Sequence, residues 1–284
     1  MATSSIRDAL RVRPSADTTI DVGRHPPDAT PLAPGKKGKT LERTAVEATE
    51  IGELQERLYA QGTTGDPRRI LLVLQGMDTA GKGGTVEHVV SAVGPEGCHI
   101  TAFKRPTPEE LAHHFLWRIR NALPGPGIVG VFDRSHYEDV LVVKVHGTID
   151  DAECARRYDE INAFERELVE SGTTIVKCWL NISYDEQRER LLARLDEPDK
   201  HWKFNEGDID ERRKWAQYQE AYTAALAHTS TDHAPWYAVP GDRKWYRNWA
   251  VAGLLLEALR GMDLAYPDPG LDVPRLKERL RPPN

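Results

Sequence analysis

The sequence predicts an α/β protein, a three-layer sandwich with a mainly parallel five-stranded sheet and a helical lid. Two observations carry this prediction. Short runs rich in Val, Ile and Leu alternate along the chain with longer amphipathic segments, a pattern that joins parallel strands through helical crossovers. The first apolar run also opens directly into a glycine-rich loop followed by a helical pattern, which is the element order of a phosphate-binding unit.

The candidate strands are residues 70–74, 99–103, 128–132, 174–180 and 236–239. Ahead of them, Ile51, Leu54 and Leu58 share one helical face, so order is expected to begin soon after Leu41. Thr107 with Glu110, Asp150 with Glu153, Ser183 with Glu186 and Asp208 with Glu211 read as capping boxes that start helices. The helix after Asp150 carries Cys154, Tyr158, Ile161, Phe164 and Leu168 on one face and stops at Gly172. Leu111, Phe115 and Ile119 place Arg118 on one further helix.

A chain of 284 residues can bury one large core, and 39% apolar with 29% charged residues is a globular balance. No apolar run reaches membrane-spanning length, and the first fourteen residues lack the apolar stretch of a secretory signal, so a cytoplasmic protein is expected. Cys98, Cys154 and Cys178 are odd in number and scattered, which suits reduced core residues rather than disulfides or a metal site. A net charge of −6 gives no reason to expect nucleic acid or a membrane as partner, so any polyanion site must be local. Pro26, Pro27, Pro31, Pro34 and the Lys36-Lys37-Gly38-Lys39 cluster read as a flexible N-terminal arm over residues 1–40. One folded domain is expected over 41–266, with its lid at about 194–218, and a tail over 267–284.

The loop reads Gly76-Met77-Asp78-Thr79-Ala80-Gly81-Lys82-Gly83-Gly84-Thr85. Its glycines let backbone N–H groups turn around phosphate oxygens, and Lys82 adds a mobile positive charge. Val86, Val89, Val90 and Val93 then recur at helical spacing. The bland alternative is a glycine-rich turn, but strand, loop and helix come in the order a P-loop kinase requires. Gly83 stands where such loops place a metal-ligating Ser or Thr, and the hydroxyl of Thr85 comes two residues late. Asp78 supplies a carboxylate instead, so it is expected to handle metal or acceptor phosphate unless it only stabilises the loop as an Asx turn.

The third strand ends in Asp133-Arg134-Ser135-His136-Tyr137-Glu138-Asp139. An acid at that strand end suits a second magnesium-binding carboxylate, and Arg134 offers a fixed cation, although a strand-end Asp also commonly caps a helix. Together with Phe103-Lys104-Arg105-Pro106-Thr107 and the stretch from Arg194 through Lys203-Phe204, these motifs make the chain resemble the polyphosphate kinase type 2 family from about Leu41 to Tyr266. The resemblance implies reversible phosphoryl transfer between inorganic polyphosphate and ADP or AMP, giving ATP or ADP, with magnesium and a homo-oligomer, a dimer or tetramer. It further implies catalytic roles for Asp78, Lys82 and Asp133, with Arg134 and Arg194 gripping phosphates. Tyr137, Glu138 and Asp139 look like the subgroup that accepts both AMP and ADP, which implies that Tyr137 and Glu138 contact nucleotide or phosphate, whereas Asp133 looks like the diphosphate-using subgroup.

Between Leu191 and Tyr218 the polar, aromatic stretch suits a lid that closes over the transferring phosphate and expels water. Arg194, Lys200 and Lys203 are its candidate phosphate ligands, while Arg212, Arg213 and Lys214 equally suit a solvated helix balanced by neighbouring acids. Lys104, Arg105 and Arg118 follow the second strand and are expected to reach the same crevice, with a surface salt bridge as the alternative for Arg118. No general base is needed, because the attacking phosphate is already anionic, and His136 and His146 show no orienting partner in sequence that would favour a phosphohistidine. Two rivals are an ATP-dependent nucleoside monophosphate kinase and a binding protein without turnover.

Overall fold

Val- and Ile-rich runs buried on both faces need helices above and below, and the structure supplies them. It is a computed structural model that describes residues 5–15 and 19–281. In chain order come α1 (Ile6–Leu10), α2 (Lys37–Gly62), β1 (Arg69–Gln75), α3 (Lys82–Val90), β2 (Cys98–Ala102), α4 (Pro108–Leu111) and α5 (Trp117–Asn121). Next are β3 (Val129–Asp133), α6 (Val142–Val145), α7 (Asp151–Glu170), β4 (Thr173–Asn181), α8 (Tyr184–Asp196) and α9 (Gly207–Arg213). The described chain closes with α10 (Trp215–Thr229), β5 (Trp236–Pro240), α11 (Lys244–Arg260) and α12 (Val273–Arg279).

All five expected strands form, every pairing is parallel, and the order is β2-β3-β1-β4-β5. Helices α2, α3 and α11 pack together as one layer, and α6, α7 and α10 as another. Central β1 is buried from Ile70 to Gln75. Its register sets Leu74 opposite Asp133 of β3, so the loop after β1 and the acid ending β3 emerge side by side. No helix among the described residues is long and apolar enough to cross a membrane.

Three of the four capping signals place an N-cap: Thr107, Asp150 and Ser183 each accept from the backbone N–H three residues on, and Thr107 closes the full box with Glu110. Asp208 does not. Helix α9 starts at Gly207 without a side-chain cap, and the Asp208 carboxylate turns to Arg194 instead. The single helix expected around Arg118 is two short ones, α4 and α5. The arm is also corrected over its described residues, because Ile6, Leu10 and Val12 are buried in the core. Its proline-rich part lends carbonyls to the fold: His25 O accepts from Asn181, Pro27 O from Asp242 N, Asp28 O from Arg243 and Pro31 O from Tyr246. A proline lacks a donor but keeps its acceptor, so composition alone could not tell this docked strap from a linker.

Candidate active site

The loop after β1 turns back on itself through two left-handed residues, Thr79 (φ 62°) and Gly81 (φ 103°), before α3 begins at Lys82. Gly76 is required by space, since a Cβ there would lie 2.8 Å from the carbonyl oxygen of Leu180. Lys82 folds its ammonium inward to Gly76 O (2.7 Å) and Met77 O (3.3 Å). Burial lowers its pKa while the Asp78 carboxylate opposes that shift. Thr79 Oγ1 is buried with no partner among the described residues, an orphaned hydroxyl inside the loop. Ala80 is fully buried, whereas Gly83 is exposed and Gly84 half-buried at the start of α3. Thr85 donates to Gly81 O at 3.1 Å, so its hydroxyl closes the first turn of α3 rather than facing a ligand.

At the end of β3, Arg134 also adopts a left-handed conformation (φ 64°), which swings its guanidinium across to Asp78 Oδ1 at 3.2 Å. Glu138 lies 4.0 Å from Arg134 Nε, and burial raises its pKa against the pull of Arg134 and Lys82. Asp133 is half-buried, and its charge is felt by both Lys82 and Arg134. Asp78, Arg134 and Glu138 open onto a cleft of 320 Å³, closed on the far side by Asp208, Glu211, Tyr218 and Tyr222. Asp208 is held protonated to higher pH than usual, by burial first and then by facing Asp78.

Tyr137 does not join them. It is fully buried on the core side of its turn, donating to Glu165 Oε1 (2.8 Å) and accepting from Lys177 Nζ (2.8 Å). His136 lies in the same buried cluster, 3.3 Å from Glu165, out of reach of any phosphate. His146 does line the cleft, paired with Glu211 at 3.0 Å. Arg194 stands one side chain back, bonded to Asp208 (3.3 Å) and Lys203 O (3.1 Å). Lys104 and Arg105 are exposed outside the cleft lining, and Arg118 is buried against Asp139 (3.2 Å) and Lys104 O (3.0 Å). Lys200 pairs with Glu197, and Lys203 lies 4.9 Å from the exposed Trp202 ring, so neither reaches the cleft in this conformation. Sequence reasoning passed over Gln187, Arg190 and Arg247, which hold the loop from outside. Their one signal was polar side chains on otherwise buried helix faces.

A loop carboxylate, Asp78, and a strand-end carboxylate, Asp133, beside an orphaned Thr79 hydroxyl fit magnesium, which commonly takes one or two carboxylates plus phosphate oxygens. The described residues contain no group of three or more His, Cys, Asp or Glu arranged around a metal, and such a substrate-completed site needs none.

A sequence model for the family "Polyphosphate kinase 2 (PPK2)" matches residues 35–267. The chain belongs to the polyphosphate kinase 2 family. As a polyphosphate kinase 2 it is a phosphotransferase of the kinase type that uses polyphosphate. It is 46% identical to the AMP/ADP-polyphosphate phosphotransferase of Meiothermus ruber, over 91% of this chain and 95% of that one. It is 40% identical to the ADP-polyphosphate phosphotransferase of Rhodopseudomonas palustris, over 88% and 89%. The crystal structure of polyphosphate kinase 2 from Arthrobacter aurescens TC1 superposes with a TM-score of 0.94 at 50% identity, covering 97% of this chain and 96% of that one.

Proposed function

We propose that this polyphosphate kinase 2 transfers a phosphoryl group reversibly between inorganic polyphosphate and ADP, AMP or both, by direct in-line displacement. The observation that carries the reading is the pairing of the phosphate loop with Arg134: Asp78 and Arg134 meet at one cleft, and Lys82 holds its ammonium under the loop's Gly76 and Met77 carbonyls, residues that line the same cleft. The relatives named for AMP/ADP and for ADP support these acceptors. A terminal nucleotide oxygen attacks the end phosphorus of the polymer, and the P–O bond to the next phosphate breaks as the new one forms. Lys82 and Arg134 are preorganised donors for the charge spread over the transferring group. Asp78 and Asp133 would hold magnesium, which when bound neutralises phosphate oxygens. Tyr218 and Tyr222, with the segment around Asp208 and Glu211, wall the far side and keep water from competing as acceptor. Arg194, Lys200 and Lys203 would reach the polymer when that segment closes. We place the enzyme in the cytoplasm as a homo-oligomer, a dimer or tetramer.

The test is purified protein incubated with polyphosphate and magnesium, with ADP in one arm and AMP in the other, read by phosphorus NMR. Growth of ATP or ADP signals at the expense of the polymer is expected. Product formed only when ATP is supplied as donor would favour an ordinary monophosphate kinase.

A further inference from the structure

Five consecutive carbonyls of the phosphate loop accept a hydrogen bond from a side chain. Lys82 takes Gly76 and Met77, Gln187 takes Asp78 (3.1 Å), Arg190 takes Thr79 (2.9 Å) and Ala80 (3.2 Å), and Arg247 joins on Ala80 (3.1 Å). The C=O and N–H of a planar trans peptide point in opposite directions, so a carbonyl drawn toward α8 and α11 turns the next N–H away from them. That applies to the N–H groups of Thr79, Ala80 and Gly81. Ala80 N returns to Met77 O at 3.0 Å, which leaves those of Thr79 and Gly81 for a ligand.

The charges behind the loop are out of balance. Arg247 is 3% exposed, and its guanidinium meets only Ala80 O and the neutral Asn248 Oδ1 (2.8 and 3.1 Å), with no carboxylate partner among the described residues. Arg190 spends four bonds on Gly241 O (2.7 Å), Asp242 O (2.9 Å) and the two loop carbonyls, and pairs with Glu186 (2.9 Å), whose side chain is partly exposed. Lys244 adds a third cation, its pKa lowered by burial first and then by both arginines. Arg247 also presses on the first turn of α3, since a Cβ on Gly81 would lie 1.7 Å from its Nη1. A cation there is disfavoured by the helix dipole, and a buried guanidinium without a counter-charge is disfavoured again. Burial, and then Arg190, pull the Arg247 pKa down to about 10. An anion held in the loop relieves all of these penalties together.

We propose that Arg190 and Arg247 are positioning residues for phosphoryl transfer: they aim the loop's N–H groups from behind and carry a buried positive charge that the bound phosphate neutralises. The inference rests on the reading that this loop holds the reacting phosphate. It makes the free protein pay for a charge that the liganded protein uses, so ligand-linked stabilisation reports on it directly.

The experiment uses the full chain as wild type, Arg247→Met and Arg247→Lys, with tripolyphosphate as the probe. Thermal unfolding is followed with and without tripolyphosphate, and kcat and KM are measured with ADP, polyphosphate and magnesium. Free Arg247→Met is expected to melt at or above the wild-type temperature while its tripolyphosphate-induced rise falls to less than about half. Its kcat should drop about tenfold or more, with KM for ADP changed less than about threefold, because orientation matters most in the transition state. Arg247→Lys should recover part of the tripolyphosphate-induced rise. The proposal is overturned if Arg247→Met keeps the wild-type rise and a kcat within about twofold, whatever its melting temperature without ligand. A wild type that neither melts later with tripolyphosphate nor makes ATP from ADP overturns the phosphotransferase reading and this one with it.

Discussion

Lys82 carries the heaviest expected loss of any single side chain, because its buried ammonium is held in the loop with no solvent to replace it. Lys82→Ala should cut kcat by about two to four orders of magnitude, measured with saturating ADP and polyphosphate, and retention of more than roughly a tenth of the rate removes the loop from the reaction. Asp78→Ala and Asp133→Ala should each lower kcat at least about a hundredfold and weaken the response to a magnesium titration, with melting temperatures near wild type. Thr85→Ala should instead lose about 1 kcal/mol of stability and keep its rate, since its hydroxyl donates to Gly81 O inside α3. Near-normal turnover in Asp78→Ala beside a crippled Thr85→Ala reverses that division of labour. The contrast shows what sequence could reveal at this scale. Asp78 and Lys82 were legible because loop, strand and helix are neighbours in the chain. Tyr137 was misread because its neighbours Arg134 and Glu138 face the cleft, while the turn points Tyr137 itself toward Glu165 and Lys177. The role of Arg247 was hidden for a different reason: it stood out only as a polar residue on a buried helix face, and its partner, Ala80, lies 167 residues earlier.

The strands were the most legible elements, since buried parallel strands read as unbroken apolar runs, and the three working N-caps are local hydrogen-bond patterns. The stretch from Arg194 to Tyr218 was harder. Its acids and bases pair with one another, as Arg194 with Asp208, Lys200 with Glu197 and Arg213 with Asp210, so residue type alone could not separate ligand from surface charge. A lid that trades these pairs for a polyanion leaves a salt signature. Apparent KM for polyphosphate should rise with ionic strength more steeply than KM for ADP, because a longer anion releases more counterions. Arg194→Ala and Lys203→Ala should each flatten the polyphosphate slope and leave the ADP slope nearly unchanged. Identical slopes for both substrates in all three proteins detach this segment from the polymer.

At the scale of the whole molecule, the sequence missed how the N-terminal segment completes the sheet. Ile6, Leu10 and Val12 are too few for a period to stand out, and they gain meaning only once β5 and α11 are in place. Strand β5 ends the sheet, and its outer edge is covered where Arg11 bridges Tyr237 antiparallel and Val12 N donates to Trp236 O at 2.8 Å. Glu257 of α11 accepts from the backbone N–H groups of Ile6 and Arg7 (2.9 and 3.2 Å), fixing the start of α1. Burying each of the three apolar side chains stabilises by about 1.5–3 kcal/mol, and that gain exceeds the cost of ordering so short a segment only because the edge hydrogen bonds form with it. Removing residues 1–14 should therefore lower the melting temperature by about 5 °C or more and bare a β edge to other chains. Light scattering during the melt should rise earlier for the truncated protein, and Leu10→Asp in the full chain should reproduce much of the loss. The cleft lining includes none of these residues, so the truncated protein that remains folded at low temperature should keep kcat and KM near wild type. An unchanged melting temperature and scattering would mean that the strap merely lies on the sheet, while a lost kcat in still-folded protein would mean that it reaches the reaction.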